Sequence, residues 1–175
     1  GGYQGWLGLL GISNFYIDRS CAVTALTNYI SYEKLASKKT SLSLEDYNRL
    51  QEKIYRYLRP RPWGVISIGL VDRAMKKFAR ENKLDLRAKI KSGDFTRANV
   101  LSYIREGLEA NKPILILTWN SPIKDLSYHW VTLTRLYEED DRLKMVLSTW
   151  GEQRIYSIDE WFDGPSLYKG LIYWE

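Results

Sequence analysis

The chain of 175 residues contains one cysteine, Cys21, and one histidine, His129, which follows it 108 positions later. A thiol is a useful nucleophile only as thiolate, and its ordinary pKa of about 8.5 leaves it mostly protonated at neutral pH. The positive end of a helix and a neighbouring imidazolium both lower that value. Cys21 stands in the stretch Asp18-Arg19-Ser20-Cys21-Ala22-Val23-Thr24-Ala25, where Ser20 reads as an N-cap and Cys21 as the first helical residue. The pair therefore suits nucleophilic catalysis: Cys21 attacks a carbonyl, and His129 takes the thiol proton and returns it to the leaving group. Taken singly, each has a plainer reading, the thiol as a small buried hydrophobe and the imidazole as a satisfied core or surface group.

The intervening chain must bring the two together. Residues 1–17 are apolar and punctuated by glycine, which reads as a loop or extended segment wrapping over something. Ala22, Val23, Leu26, Tyr29 and Ile30 fall at helical spacing, and that helix is expected to run to about Leu35. Lys38 to Ser43 reads as a polar linker. Ser43 and Asp46 resemble a capping box, followed by the helical face Leu44, Tyr47, Leu50, Ile54 and Leu58. Pro60 and Pro62 stop that helix. A third helix begins near Ile68, with Val71, Met75 and Phe78 inward and a basic stripe of Arg73, Lys76, Lys77 and Arg80 read as a solvated face.

The second half turns to strands. Leu84 to Ile90 alternates apolar with charged residues, predicting a half-buried strand. Thr96 caps a helix carrying Val100, Leu101, Ile104 and Leu108, and Pro113 to Trp119 reads as a central strand buried on both faces. Tyr128 to Tyr137 and Leu143 to Trp150 flank the acidic turn Glu138 to Arg142, which predicts a long hairpin. Ile155 to Ile158 and Leu171 to Trp174 predict further short strands, with a loop or single helical turn over 159–165. Helices first and an antiparallel sheet afterwards make an α+β domain, expected to be a single one over 1–175.

With the hairpin turn near Glu139, His129 lies opposite Ser148 or within a couple of residues of it. A group that orients the imidazole is thus expected in Ser148-Thr149-Trp150-Gly151. Three pieces now resemble one family. Cys21-Ala22-Val23-Thr24-Ala25 is similar to a Cys-Gly-Pro-Thr-Ala helix start, and His129-Trp130-Val131-Thr132-Leu133-Thr134 to a strand of the form His-aromatic-Val-Thr-Val-Thr. Ser148-Thr149-Trp150-Gly151 is similar to Asn-Ser-Trp-Gly. The set resembles the papain-fold cysteine peptidases, most closely the bacterial group related to the bacteriocin-processing, double-glycine-leader peptidases.

The resemblance implies a papain-like α+β fold and a cysteine peptidase or thiol hydrolase using a thiolate–imidazolium pair. It implies Cys21 as nucleophile, His129 as base and Ser148 at the third site, where the family carries Asn or Asp. The family's oxyanion glutamine stands six residues before the cysteine; that position is Phe15 here, and Asn14 beside it takes the role. Trp150 and Asp18 are the expected substrate contacts, Asp18 as a polar neighbour of the thiol. The substrate class is a peptide or protein amide and no cofactor is needed. The changed third and oxyanion positions motivate an alternative, a papain-fold binding module that has lost turnover; a further one is a thiol acyltransferase.

Bulk properties narrow the field. One Cys excludes an internal disulfide, and one Cys with one His excludes a zinc finger or a three-histidine catalytic zinc site; no metal is expected. The formal charge of +5 favours anionic partners, yet no nucleic-acid-binding motif accompanies it and no nucleic acid is expected. No run is long enough to span a bilayer, and a monomer is expected. The compartment stays open: an export signal or anchor ahead of this chain would place the domain outside the cytoplasm or at the cell envelope.

Overall fold

Hydroxyls cap two of the helices, those beginning at Leu44 and Arg97. Ser43 Oγ accepts the Asp46 N–H at 3.1 Å, and Thr96 Oγ1 accepts that of Asn99 at 3.2 Å, satisfying amides that a helix start leaves unpaired. The computed structural model describes residues 2–38 and 42–175, so that 39–41 of the expected linker at 38–43 lie outside the described residues. Along the chain run α1 (Asn14–Ile17), α2 (Cys21–Lys38), α3 (Leu44–Leu58), α4 (Ile68–Glu81), β1 (Ala88–Lys91), α5 (Arg97–Glu109), β2 (Ile114–Trp119), β3 (His129–Glu139), β4 (Arg142–Thr149), β5 (Glu152–Ser157), α6 (Ile158–Asp163) and β6 (Tyr168–Trp174). Short 3-10 helices cover Gln4–Leu10 and Lys124–Leu126.

The six strands form one antiparallel sheet in the order β1-β6-β2-β3-β4-β5. The fold is α+β, as expected. β2 sits between β6 and β3, and its residues Ile114 to Thr118 are buried, so its unbroken apolar run reflects cover on both faces. Alternation along β6 shows the two layers. Trp174 meets the Tyr29 ring of α2 edge-on at 4.9 Å, and its indole donates to Asp72 of α4 at 3.0 Å. Its neighbour Tyr173 turns the other way, onto Tyr103 of α5 at 5.1 Å. Gly107 of α5 permits this approach, since a Cβ there would lie 3.1 Å from the Tyr173 ring. Trp161 of α6 joins that second face by donating to Thr118 Oγ1 at 2.9 Å.

Tyr29 ties α2 to the sheet. Its hydroxyl donates to the Trp174 carbonyl at 2.9 Å and accepts the Trp174 N–H at 3.0 Å. Both backbone groups of a buried residue are thereby satisfied. One contiguous core joins α2, α4, α5 and the sheet.

Three expectations change. The glycine-punctuated start is not extended: it coils into the Gln4–Leu10 helix, closed by Gly11 at φ 75°, and into α1. The strand expected over 84–90 shrinks to β1, and Ile90 is 47% exposed. β1 is an edge strand that pairs with β6 over Ala88–Lys91, with the Arg87–Glu175 backbone pair beside that ladder, and Leu84 and Leu86 lie outside it. The β3–β4 hairpin turns on Asp140 and Asp141, both at positive φ, and its register slips between Leu133 and Arg135. The turn at 140–141 keeps Ser148 away from His129, and the bulge then sets it opposite Thr132 rather than Leu133. Of the basic stripe on α4, all four side chains are exposed, and Lys76 pairs with Asp72 at 2.6 Å. Among the described residues no helix is long and apolar enough to cross a membrane.

Candidate active site

Cys21 is the first residue of α2 and His129 the first of β3. Ser20 is fully buried, and its hydroxyl donates to the Tyr16 carbonyl at 2.6 Å, fixing the turn that feeds the helix. α2 packs on β3 through Thr132, whose Oγ1 donates to the Ala25 carbonyl at 3.2 Å. Helix start and strand start meet as a result. Cys21 and His129 line the same narrow crevice, together with Gln4, Asn28, Thr149 and Trp150. It offers about 10 Å³, the room of roughly one water molecule.

The imidazole is held on two sides. His129 Nε2 lies 2.7 Å from Thr149 Oγ1, a buried hydroxyl. The Trp150 indole stacks on the ring at 4.4 Å, nearly parallel. The Arg154 guanidinium covers the Trp150 ring at 4.8 Å. Arg154 pairs with Asp125 at 2.7 Å, and Asp125 also accepts the Tyr156 hydroxyl at 3.0 Å. Two aromatic residues beside the pair, Tyr128 and Trp150, adopt left-handed backbone conformations at φ 52° and 47°, a region bulky side chains seldom occupy.

Enclosure sets the protonation states. Burial pushes the Cys21 thiol above its ordinary value, against the backbone amides of Trp130, Ala22 and Cys21 itself, which pull it down. Burial also lowers the His129 imidazole from 6.5 to about 4; the Asp125 carboxylate opposes that shift and the Arg154 charge adds to it. Both shifts favour the neutral forms, because a crevice with room for about one water molecule solvates neither ion well. Both directions weigh towards thiol and neutral imidazole and against the expected thiolate–imidazolium pair.

The remaining expected residues separate. Ser148 belongs to the crevice wall, but its hydroxyl accepts from Asn28 Nδ2 at 3.4 Å; Thr149, one residue on, is the partner of the ring. Asn14 and Asp18 are exposed and lie outside the crevice lining. Both belong to the α1 turn, where the Asp18 N–H donates to the Asn14 carbonyl at 3.0 Å. Phe15 is also exposed, under the Arg19 guanidinium. Trp150 lines the crevice by covering the imidazole.

Two side-chain amides line the crevice, Gln4 and Asn28, and Asn28 is committed to Gly2, Tyr47 and Ser148. The signal of Gln4 was residue type: it is the sole glutamine ahead of Cys21, though 17 positions away. Asn28, on α2 two turns after Cys21, had no sequence signal. Its Oδ1 accepts the Gly2 N–H at 2.8 Å and the Tyr47 hydroxyl at 2.9 Å. The Gly151 N–H donates to the Gly2 carbonyl at 3.1 Å, so the N-terminal segment is stitched across the site. Among the described residues no group of three or more His, Cys, Asp or Glu side chains could hold a metal ion. No known protein-family model matches the chain, and no curated protein matches it.

Proposed function

We propose that the protein is a papain-like thiol hydrolase acting on a peptide or related amide. The observation that carries this reading is the shared crevice of Cys21 and His129, with Thr149 2.7 Å from Nε2. In the neutral tautomer that donates Nε2–H to Thr149, the Nδ1 lone pair is left to take a proton, and Thr149 fills the orienting role. As the Cys21 Sγ–carbon bond forms, the thiol proton passes to His129. The Gln4 side-chain amide and the Cys21 backbone N–H hold the oxyanion. Collapse breaks the carbon–nitrogen bond, and His129 gives its proton to the leaving nitrogen. Water then cleaves the thioester, with His129 returning the proton to sulfur.

An activated acyl donor tests this without knowledge of the natural substrate. Incubation with p-nitrophenyl esters of N-acetyl amino acids, followed by intact mass measurement, is expected to show a transient acyl group on Cys21. Cys21→Ala should abolish the adduct, and His129→Ala should slow its formation at least about 100-fold. No adduct, or one that forms equally fast without His129, overturns the reading. An amine that competes with water for the adduct would instead mark an acyltransferase.

A further inference from the structure

Beside the crevice lies a much larger cavity of about 740 Å³, within the roughly 300–1,000 Å³ of ligand pockets. Asn28 and Ser148 belong to the walls of both. Trp6, Tyr32 and Tyr47 give it aromatic walls, and α2 contributes Ser31. Ser31 is only 7% exposed, and its Oγ has no hydrogen-bond partner among the described residues. Other hydroxyls of the lining are committed: Thr132 Oγ1 donates to the Ala25 carbonyl and Thr134 Oγ1 to the Val146 carbonyl, each at 3.2 Å. A buried hydroxyl left unpaired is costly, and native structures rarely keep one without a use. It marks where a ligand's polar group would dock.

Charge narrows the ligand further. Among the described lining residues the acidic and basic side chains are Arg135 and Glu152, both exposed and of opposite sign. A charged ligand group would leave water for hydroxyls and aromatic faces with no countercharge in the interior of the site, which is unfavourable. A neutral group with a hydrogen-bonding tip meets both the aromatic walls and Ser31.

We propose that this cavity seats the part of the peptide substrate next to the scissile amide, and that it selects an uncharged segment pairing a bulky apolar side chain with a hydroxyl or amide side chain. The inference rests on the thiol hydrolase reading of the adjoining crevice. Bound there, the segment would hydrogen-bond Ser31 and stack on Trp6, reaching the crevice past Asn28 and Ser148.

The test uses the full chain carrying Cys21→Ala, so that binding is separated from turnover. Pools of N-acetylated hexapeptide amides, each with one position fixed, are titrated while the Ser31 amide and Trp6 indole signals are followed by nitrogen-15 NMR. Pools fixed as Ser, Thr, Asn, Gln or Tyr are expected to shift both signals at concentrations at least about fivefold lower than pools fixed as Asp, Glu, Lys or Arg. Adding Ser31→Ala should weaken the best pool about three- to tenfold, the loss of one hydrogen bond. Equal shifts from charged pools, no shift at Ser31 and Trp6, or binding indifferent to Ser31→Ala overturns the proposal. If the Ser31→Ala chain fails to fold, the pool comparison decides alone. Turnover by the wild-type protein with silent cavity signals refutes the cavity and spares the hydrolase reading; cavity binding without acylation of Cys21 does the reverse.

Discussion

A half-buried imidazole held neutral must weaken the fold in acid, and the single histidine makes that measurable. The pKa of His129 falls from 6.5 in the unfolded chain to about 4 in the fold. Between those values the unfolded state binds the proton and the folded state does not, so stability rises with pH. The contribution is fully present above pH 6.5 and is lost as pH falls towards 4. At about 1.4 kcal/mol per pH unit, the whole loss is about 3 kcal/mol. Cys21, Asp125 and Arg154 are the ionisable groups set around the ring, and carboxylates elsewhere add their own acid sensitivity. Comparison with His129→Asn isolates the imidazole. Urea unfolding at pH 7.5, 6.5, 5.5 and 4.5 should show the stability difference between the two proteins changing by about 2.5 kcal/mol across the series, at the wild type's expense. The lone imidazole Hε1 resonance should titrate with a midpoint near 4. Parallel stability curves, or a midpoint at 6 or above, would refute the step from enclosure to neutral base, and with it the neutral resting pair.

Other expectations concern the groups around that ring. Thr149→Val keeps shape but strips the partner from Nε2; stability should fall by about 1–3 kcal/mol in chemical denaturation, and acylation of Cys21 should slow, with Thr149→Ser restoring most of both. Ser148→Ala, one residue away, should change the acylation rate far less. Gln4→Ala should reduce the acylation rate about 100-fold or more, as loss of an oxyanion donor does, whereas Asn14→Ala should leave it unchanged; the reverse pattern returns the oxyanion role to Asn14. Tyr128 is 64% exposed at φ 52°, so Tyr128→Asn gives up little packing and relieves a left-handed strain of about 1 kcal/mol. Its melting temperature should equal or exceed that of the wild type, and a clear drop would mean the ring is packed in solution.

What the sequence revealed divides along physical lines. Cys21 at a helix start was legible because Ser20 precedes a clean 3.6-residue apolar period. The β3–β4 hairpin was legible because apolar runs flank a charged turn. Ser148 and Thr149 could not be told apart, since the slip between Leu133 and Arg135 is one residue and leaves no mark in the pattern. Gln4 was missed because the distance from an amide to a thiol depends on how the intervening chain coils. Gly5, Gly8 and Gly11 leave that coiling open, and the Gln4–Leu10 and Asn14–Ile17 helices decide it. Asn28 escaped because its partners, Gly2, Tyr47 and Ser148, come from three distant segments. Leu84 read as inward because alternation alone carries no information about whether a partner strand lies beside it.

The cost of this site lies in backbone strain and solvation rather than in opposed charges. Among the described residues Tyr128 and Trp150 are the aromatic ones at non-glycine positions with positive φ, and they adjoin His129 and Thr149. Left-handed backbone costs each roughly 1–2 kcal/mol, and strain of this kind persists where the surrounding packing over-determines it. Here the packing is the indole stack on the imidazole and the Arg154–Asp125 pair beyond it. Enclosure adds an electrostatic consequence. An imidazole with a pKa near 4 is a weak acceptor for the proton of a thiol whose own pKa is raised. On the proposed reading, little thiolate exists before the carbonyl arrives. Attack must then draw its driving force from stabilising the negative charge that forms on oxygen, because the sulfur begins without one. A hydrolase built this way should depend more steeply on Gln4 and the Cys21 amide than one that starts from a preformed ion pair.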